Sequence, residues 1–268
     1  MKTKIITLYF NRSIMKSMAQ ISITILCFLL LTSCKKDGNP TRQFTINTDT
    51  YLNYPQFVRS GLIAYYPFNG NADDYSGNRN HGLVHGATPS VDRFGNPNRA
   101  YSFNGIDHFI EIPNSDDFNG NEYTICFWTR TAISHDESIR SVLSKSDSAC
   151  NGYTIDLSHL GSYGLRLKSP NPKIDSWAEL LRSIGEGQTY EFISIIFNTE
   201  QVKAYHQGFH VPMITYTPTY LSNNNNFPLY IGKSLSPFYM NFKGEIDDVM
   251  IYNRVLSDRE IMALYRWK

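Results

Sequence analysis

Along most of this chain apolar and polar positions alternate in short runs with turn formers between them, the two-residue period of half-buried strands. The runs "GLIAYYPF", "RAYSF", "HFIEIP", "EYTICFWTR", "YTIDLS", "YEFISIIF" and "PLYIGK" are rich in Ile, Tyr, Phe and Thr and are divided by clusters of Gly, Asn, Asp and Pro. That spacing predicts an all-β sandwich. In "AYSFNGIDHFIEI" the pair Asn104-Gly105 offers the two positive-φ residues of a tight type I′ hairpin, and Gln207-Gly208 in "VKAYHQGFHV" suggests a second. Helical periodicity is scarce. "SDREIMALYRW" predicts a C-terminal helix, with Ser257 and Glu260 as its capping box and Leu256 stapled against Ile261. The stretch "SWAELLRSI", Ser176 to Ile184, reads as a helical turn or as an insertion between strands.

The first 34 residues break this pattern. Lys2, Lys4, Arg12 and Lys16 precede the uncharged apolar run "ISITILCFLLL", Ile21 to Leu31, and then Thr32-Ser33-Cys34. About 11 apolar residues are too few to span a bilayer, and the basic flank with a short apolar core describes a secretory signal. "LTSC" resembles the lipobox of bacterial lipoproteins, which implies cleavage after residue 33 and acylation of Cys34; Met15 is a plausible true start. The polar stretch that follows reads as a tether to residue 57, and some 25 flexible residues would span roughly 25–30 Å. Lys35 after the modified cysteine resembles outer-membrane sorting, with the face left open. The expected organisation is therefore a signal peptide over 1–33, a lipidated cysteine and tether over 34–57, and one domain over 58–268.

Composition narrows the partners. The net charge is +1 and aromatics make up 14% of residues, with no basic stripe among them. A nucleic-acid partner is therefore not expected, and membrane contact is expected through the lipid anchor only.

Six ordered segments carry a family resemblance: "GLIAYYPFNGNADDYSGNRNHG", "RAYSFNGIDHFIEIP", "YTICFWTR", "VKAYHQG", "PLYIGK" and "GEIDDVMIYNRVLSDREIMALY". Together they resemble bacterial laminin-G-like domains of the concanavalin A-like lectin/glucanase superfamily, over almost all of Gly61 to Tyr265. The resemblance implies a two-sheet antiparallel jelly-roll sandwich, used mostly as a non-catalytic adhesion or glycan-binding module. The chain departs from the usual pattern at His108, Cys126 and Met250.

"GEIDDVMIYNR" also resembles the catalytic strand of retaining glucanases, with Glu245 and Asp247 matching the first two of three carboxylates. Strict alternation puts Glu245, Asp247, Val249 and Ile251 on one face and Ile246, Asp248, Met250 and Tyr252 on the other. A retaining mechanism needs two carboxyl groups about 5–5.5 Å apart. The acid/base place falls on Val249, or on Met250 in a bulged strand, and neither transfers a proton. No catalytic residue is expected here. Gly-x-Ser-x-Gly and Gly-Lys-Ser/Thr motifs are missing as well. His81 and His85 would lie about 13 Å apart on a strand, too far to share an ion.

Asn71, Asp73 and Asp74 in "NGNADDYSGN", with Asp247 brought near by strand pairing, are a candidate calcium (Ca2+) set. The competing and stronger reading has Asp74 capping the turn and Asp247 satisfied within the sheet. Cys126 and Cys150 could form a disulfide in an oxidising compartment, or Cys126 could be a buried thiol. Trp128 reads as core. Trp177, Tyr163, Phe238 and Tyr239, near predicted loops, are the candidate ligand-binding aromatics. The function expected is a cell-envelope lipoprotein with a non-catalytic carbohydrate-binding or adhesion module that meets a glycan or glycosylated surface. The alternatives are a glycoside hydrolase with an atypical site and a purely structural envelope protein.

Overall fold

The computed structural model describes residues 58–131, 138–158, 162–170, 173–181, 189–211 and 225–267. In chain order the strands are β1 (Leu62–Tyr66), β2 (Leu83–His85), β3 (Thr88–Ser90), β4 (Ala100–Asn104), β5 (Phe109–Ile112), β6 (Tyr123–Thr131), β7 (Arg140–Ser146) and β8 (Gly152–Leu157). They continue with β9 (Tyr163–Pro170), β10 (Lys173–Leu181), β11 (Glu191–Phe197), β12 (Val202–His206), β13 (Phe209–Val211), β14 (Leu229–Ile231), β15 (Met240–Asn241) and β16 (Lys243–Tyr252). The helix α1 (Asp258–Arg266) closes the fold. It is an all-β sandwich of two sheets with a jelly-roll arrangement, as the strand pattern predicts.

One sheet runs β13-β12-β11-β6-β16-β4-β3, with β1 on β16; the other runs β10-β9-β8-β7-β14-β5-β2, with β15 on β7. Strand β16 is central to the first. One side pairs with β6; the other pairs with β4 over Lys243 to Ile246 and then with β1 over Val249 to Tyr252. Between the sheets Tyr66, Phe68, Tyr123, Phe127, Tyr153 and Phe197 pack in one cluster. A second apolar cluster lies on the outer face of the first sheet, where Trp128, Phe192 and Met250 meet Ile261 and Leu264 of α1. Both faces of β6, β11 and β16 are thus covered, which is why "YTICFWT" and "EFISIIF" are apolar almost throughout.

The C-terminal helix forms as its sequence dictates. Ser257 Oγ accepts the Glu260 amide and the Glu260 carboxylate accepts the Ser257 amide, a complete capping box. Gln207 and Gly208, at φ 52° and 78°, join β12 to β13 as the expected tight hairpin.

Three expectations change. Asn104-Gly105 does not close a hairpin, because β4 and β5 belong to different sheets. Gly105 turns at φ 79°, and the Asn104 side chain accepts the amides of Ile106, Asp107 and His108. That arrangement is a corner between sheets, built by an asparagine bonding the backbone ahead of it. Ser176 to Leu181 is neither a helical turn nor a loop insertion, since β10 pairs with β9 along its length. Finally, β16 does not alternate strictly: its register against β6 slips by one residue between Asp247 and Met250, and Asp248 has φ 46°. This β-bulge turns Asp247 and Asp248 outward together and sends Val249 and Ile251 inward beside Ile246.

Candidate functional site

The bulge positions the chemistry on the outer face of the first sheet. Asp247 and Asp248 project from β16 toward Arg93, which the β3–β4 connection supplies. Arg93 Nη1 donates to Asp247 Oδ2 at 2.9 Å and also to Asp248 Oδ2. The Tyr65 hydroxyl donates to Asp248 Oδ1 at 2.8 Å. Burial, with Asp248 alongside, pushes the Asp247 carboxyl well above its usual range, and Arg93 works against that rise. The guanidinium lies between two rings, 4.3 Å from the centroid of Phe94 and 4.6 Å from that of Trp128.

The connection itself is stiffened from within. Asp92 Oδ1 accepts the amides of Phe94 and Asn96, and its Oδ2 accepts the Asn96 side chain. The Tyr190 hydroxyl donates to the Val91 carbonyl at 2.6 Å. Nearby, Arg130 grips Glu245 with two bonds, Nε to Oε2 at 3.1 Å and Nη2 to Oε1 at 3.0 Å. These groups surround a depression of about 700 Å³ with Trp128, Arg93 and Arg130 among its lining and Phe94, Tyr190 and Trp267 in its walls.

This is the face on which Glu245, Asp247 and a third residue of a bulged glucanase strand would stand together. The third place is Met250, fully buried in register with Cys126. Glu245 is locked to Arg130 and Asp247 to Arg93, so this set offers neither an acid/base nor a free nucleophile. What remains is an aromatic bowl edged with arginine, suited to holding a ligand.

Sequence reasoning missed Arg93, Phe94, Tyr190 and Asp248. Two adjacent aspartates followed directly by the apolar run Val249 to Tyr252 were the available signal. They require either a bulge or a counter-charge, and the protein uses both.

The other expected residues are distributed differently. Asn71, Asp73 and Asp74 share one loop, where Asn71 Nδ2 donates to Asp73 Oδ2 at 2.8 Å. Asp74 accepts the amides of Tyr65, Ser76 and Asn80 and the Ser76 hydroxyl. Those bonds occupy both carboxylate oxygens, so Asp74 organises the turn. Asp247 is not part of that loop's network; its carboxylate goes to Arg93. Among the described residues no three His, Cys, Asp or Glu side chains converge as a metal site.

Tyr163 is not a loop aromatic but core, fully buried and 6.0 Å from Phe127. Tyr239 is also buried, and its hydroxyl is pushed up to about 12, chiefly by desolvation. Phe238 is open, at 76% exposure. Trp177 lies on strand β10 in register with Arg166 rather than on a loop. Cys126 and Cys150 are free, buried thiols, so the bridge is not formed. Burial raises the Cys126 thiol to about 12, a small hydrophobe at neutral pH. Cys34 lies outside the described residues.

The profile of a laminin-G family, described as the concanavalin A-like lectin/glucanases superfamily, matches residues 104–262. No curated protein matches the chain. The binding domain of Paraclostridial Mosquitocidal Protein 1 superposes with a TM-score of 0.63 at 17% identity, covering 77% of this chain and 52% of that one. Domain 4 of AbnA, an extracellular arabinanase from Geobacillus stearothermophilus solved with arabinotriose, gives 0.58 at 22% identity, covering 76% and 98%. The binding domain of botulinum neurotoxin DC, solved with SialylT, gives 0.57 at 16% identity, covering 77% and 51%. At these identities the likeness is one of fold, and the chain spans about half the length of the two toxin domains.

Proposed function

This chain belongs to the concanavalin A-like lectin/glucanases superfamily, and from that membership we propose that it is a cell-envelope lipoprotein whose laminin-G-like domain binds carbohydrate without cleaving it. The face above β16 carries the reading: Met250 is buried in the acid/base place, Glu245 and Asp247 are tied to arginines, and an aromatic bowl stays open beside them. Sugars present C–H faces that stack on such rings and hydroxyls that pair with polar groups at the rim. The basic flank, the apolar run and "LTSC" support acylation at Cys34 and a tether over 34–57. The chain would then be held at the outer membrane, facing a glycan or a glycosylated surface. That solved relatives include domains captured with arabinotriose and with SialylT is consistent with a binding role.

Glycan-array screening of the full chain, then calorimetry on each hit with Phe94→Ala and Tyr190→Ala beside the parent, tests the reading. Binding weakened about tenfold by either change is the expected result, since a stacked ring contributes on the order of 1 kcal/mol or more. No binding to any glycan, or binding indifferent to both rings, would defeat it.

A further inference from the structure

Beneath the depression two buried donors have no acceptor. Arg93 Nε and Trp128 Nε1 both lack a hydrogen-bond partner, although the Arg93 side chain is 7% exposed and Trp128 is 8% exposed. Both residues line the depression, and the guanidinium lies 4.6 Å from the Trp128 ring. Buried N–H groups are almost always paired, and an orphaned one calls for an explanation. Two adjacent orphans in a concave aromatic site point to a ligand oxygen.

Charge decides what kind. Arg93 is already shared between the side chains of Asp247 and Asp248, so an anionic oxygen brought to the same guanidinium would find its charge already answered. A hydroxyl can accept, but it also brings a proton that needs a partner of its own. An amide carbonyl accepts through two lone pairs, donates nothing and carries no net charge. Around the donors the walls are apolar rings, with Phe94 half exposed and standing 4.3 Å over the guanidinium. A methyl group beside the carbonyl would pack against them.

Resting on the carbohydrate reading of this same depression, we propose that it is selective for N-acetylated amino sugars. The acetamido carbonyl accepts from Arg93 Nε and Trp128 Nε1, and the acetamido methyl packs among Phe94, Tyr190 and Trp267. Phe94 covers the guanidinium and is the ring that turns aside to admit the group.

The probes are N,N′-diacetylchitobiose, cellobiose, a galacturonic acid disaccharide and a blocked dipeptide, titrated calorimetrically into the full chain. Diacetylchitobiose is expected to bind at least about tenfold more tightly than each of the other three, the scale of one buried hydrogen bond. Trp128→Phe keeps a ring and removes Nε1, and it is expected to cut the diacetylchitobiose affinity about five- to tenfold and so to narrow its margin over cellobiose. In the unaltered protein the Trp128 indole N–H resonance, assigned by its loss in Trp128→Phe, is expected to move downfield on saturation. That measurement stands even if the variant folds poorly.

Ring-dependent glycan binding without acetamido preference, or a motionless indole resonance, overturns this inference while leaving the carbohydrate reading intact. Preference for the uronic acid overturns the charge argument, and equal affinity for the dipeptide overturns the sugar assignment. Absence of all glycan binding removes the parent reading itself.

Discussion

Single residues show where local chemistry and tertiary context part. Asp74 was legible, because an aspartate amid Gly, Asn and Ser most often bonds the turn's own amides, and here it accepts those of Ser76 and Asn80 along with the Ser76 hydroxyl and the Tyr65 amide. Asp74→Asn should destabilise the domain by about 2 kcal/mol, since an amide offers one acceptor where two oxygens served. Thermal melting should not shift between calcium and a chelator; a calcium-dependent rise lost in Asp74→Asn would restore the metal reading. Tyr163 was not legible, because a tyrosine next to a loop and one that begins a core strand look alike in sequence. Asp247 depended on Arg93, 154 positions away. Burial and Asp248 raise its folded value above the ordinary 3.8. The fold therefore disfavours its charged form, and the stability tied to its protonation falls as pH rises from the ordinary aspartate value through the raised one. Asp247→Asn cannot ionise yet still accepts from Arg93. Its melting temperature relative to the parent should climb as pH rises above the ordinary aspartate value of 3.8, and a flat or falling difference would count against the assignment.

At the scale of elements, local signals succeeded where they were self-contained. The capping box of α1 and the Gln207-Gly208 turn depend on residues within a few positions of each other, and both form. Strand existence was readable from alternation, but partner choice was not: "AYSFNGIDHFIEI" has every hairpin cue, yet its two strands enter different sheets because pairing is decided by distant β16 and β14. The bulge in β16 has the same origin. It falls where the neighbour changes from β4 to β1, a juxtaposition of residues about 100 and 60 with residue 248. The helix offers a direct test. Although burial alone would raise Glu260, bonds from Arg254 and Ser257 hold it at about 2. Its depressed value means the cap's contribution is present above the unfolded value of 4.5 and is lost as pH falls toward about 2. Ser257→Ala should cost about 1 kcal/mol in denaturant unfolding at neutral pH, with the difference from the parent shrinking in acid. A constant difference would mean that the box is not what stabilises the helix start.

For the whole molecule, the question is how the bowl is presented. Val58 is buried in the outer cluster with Tyr65 and Trp128, on the same sheet face that carries the depression. Leu62 is in register with Tyr252 at one end of β16, while Lys243 begins the other end roughly 30 Å away. Two of the exposed apolar side chains, Phe238 and Met240, sit just before that far end. If Cys34 carries lipid, a flexible tether of some 25 residues would span roughly 25–30 Å. Anchoring would then serve the proposed function as well as the address, because a weak glycan site gains from a high local density of tethered copies. Cys34→Ala should move the protein from the detergent phase to the aqueous phase, or leave it unprocessed and heavier by its leader. Cells displaying the variant should lose adhesion to a glycan-coated surface even though the purified variant binds that glycan in solution as the parent does. Unchanged partitioning would refute the anchor. Lost anchoring with undiminished adhesion would show that the domain reaches its ligand without the tether.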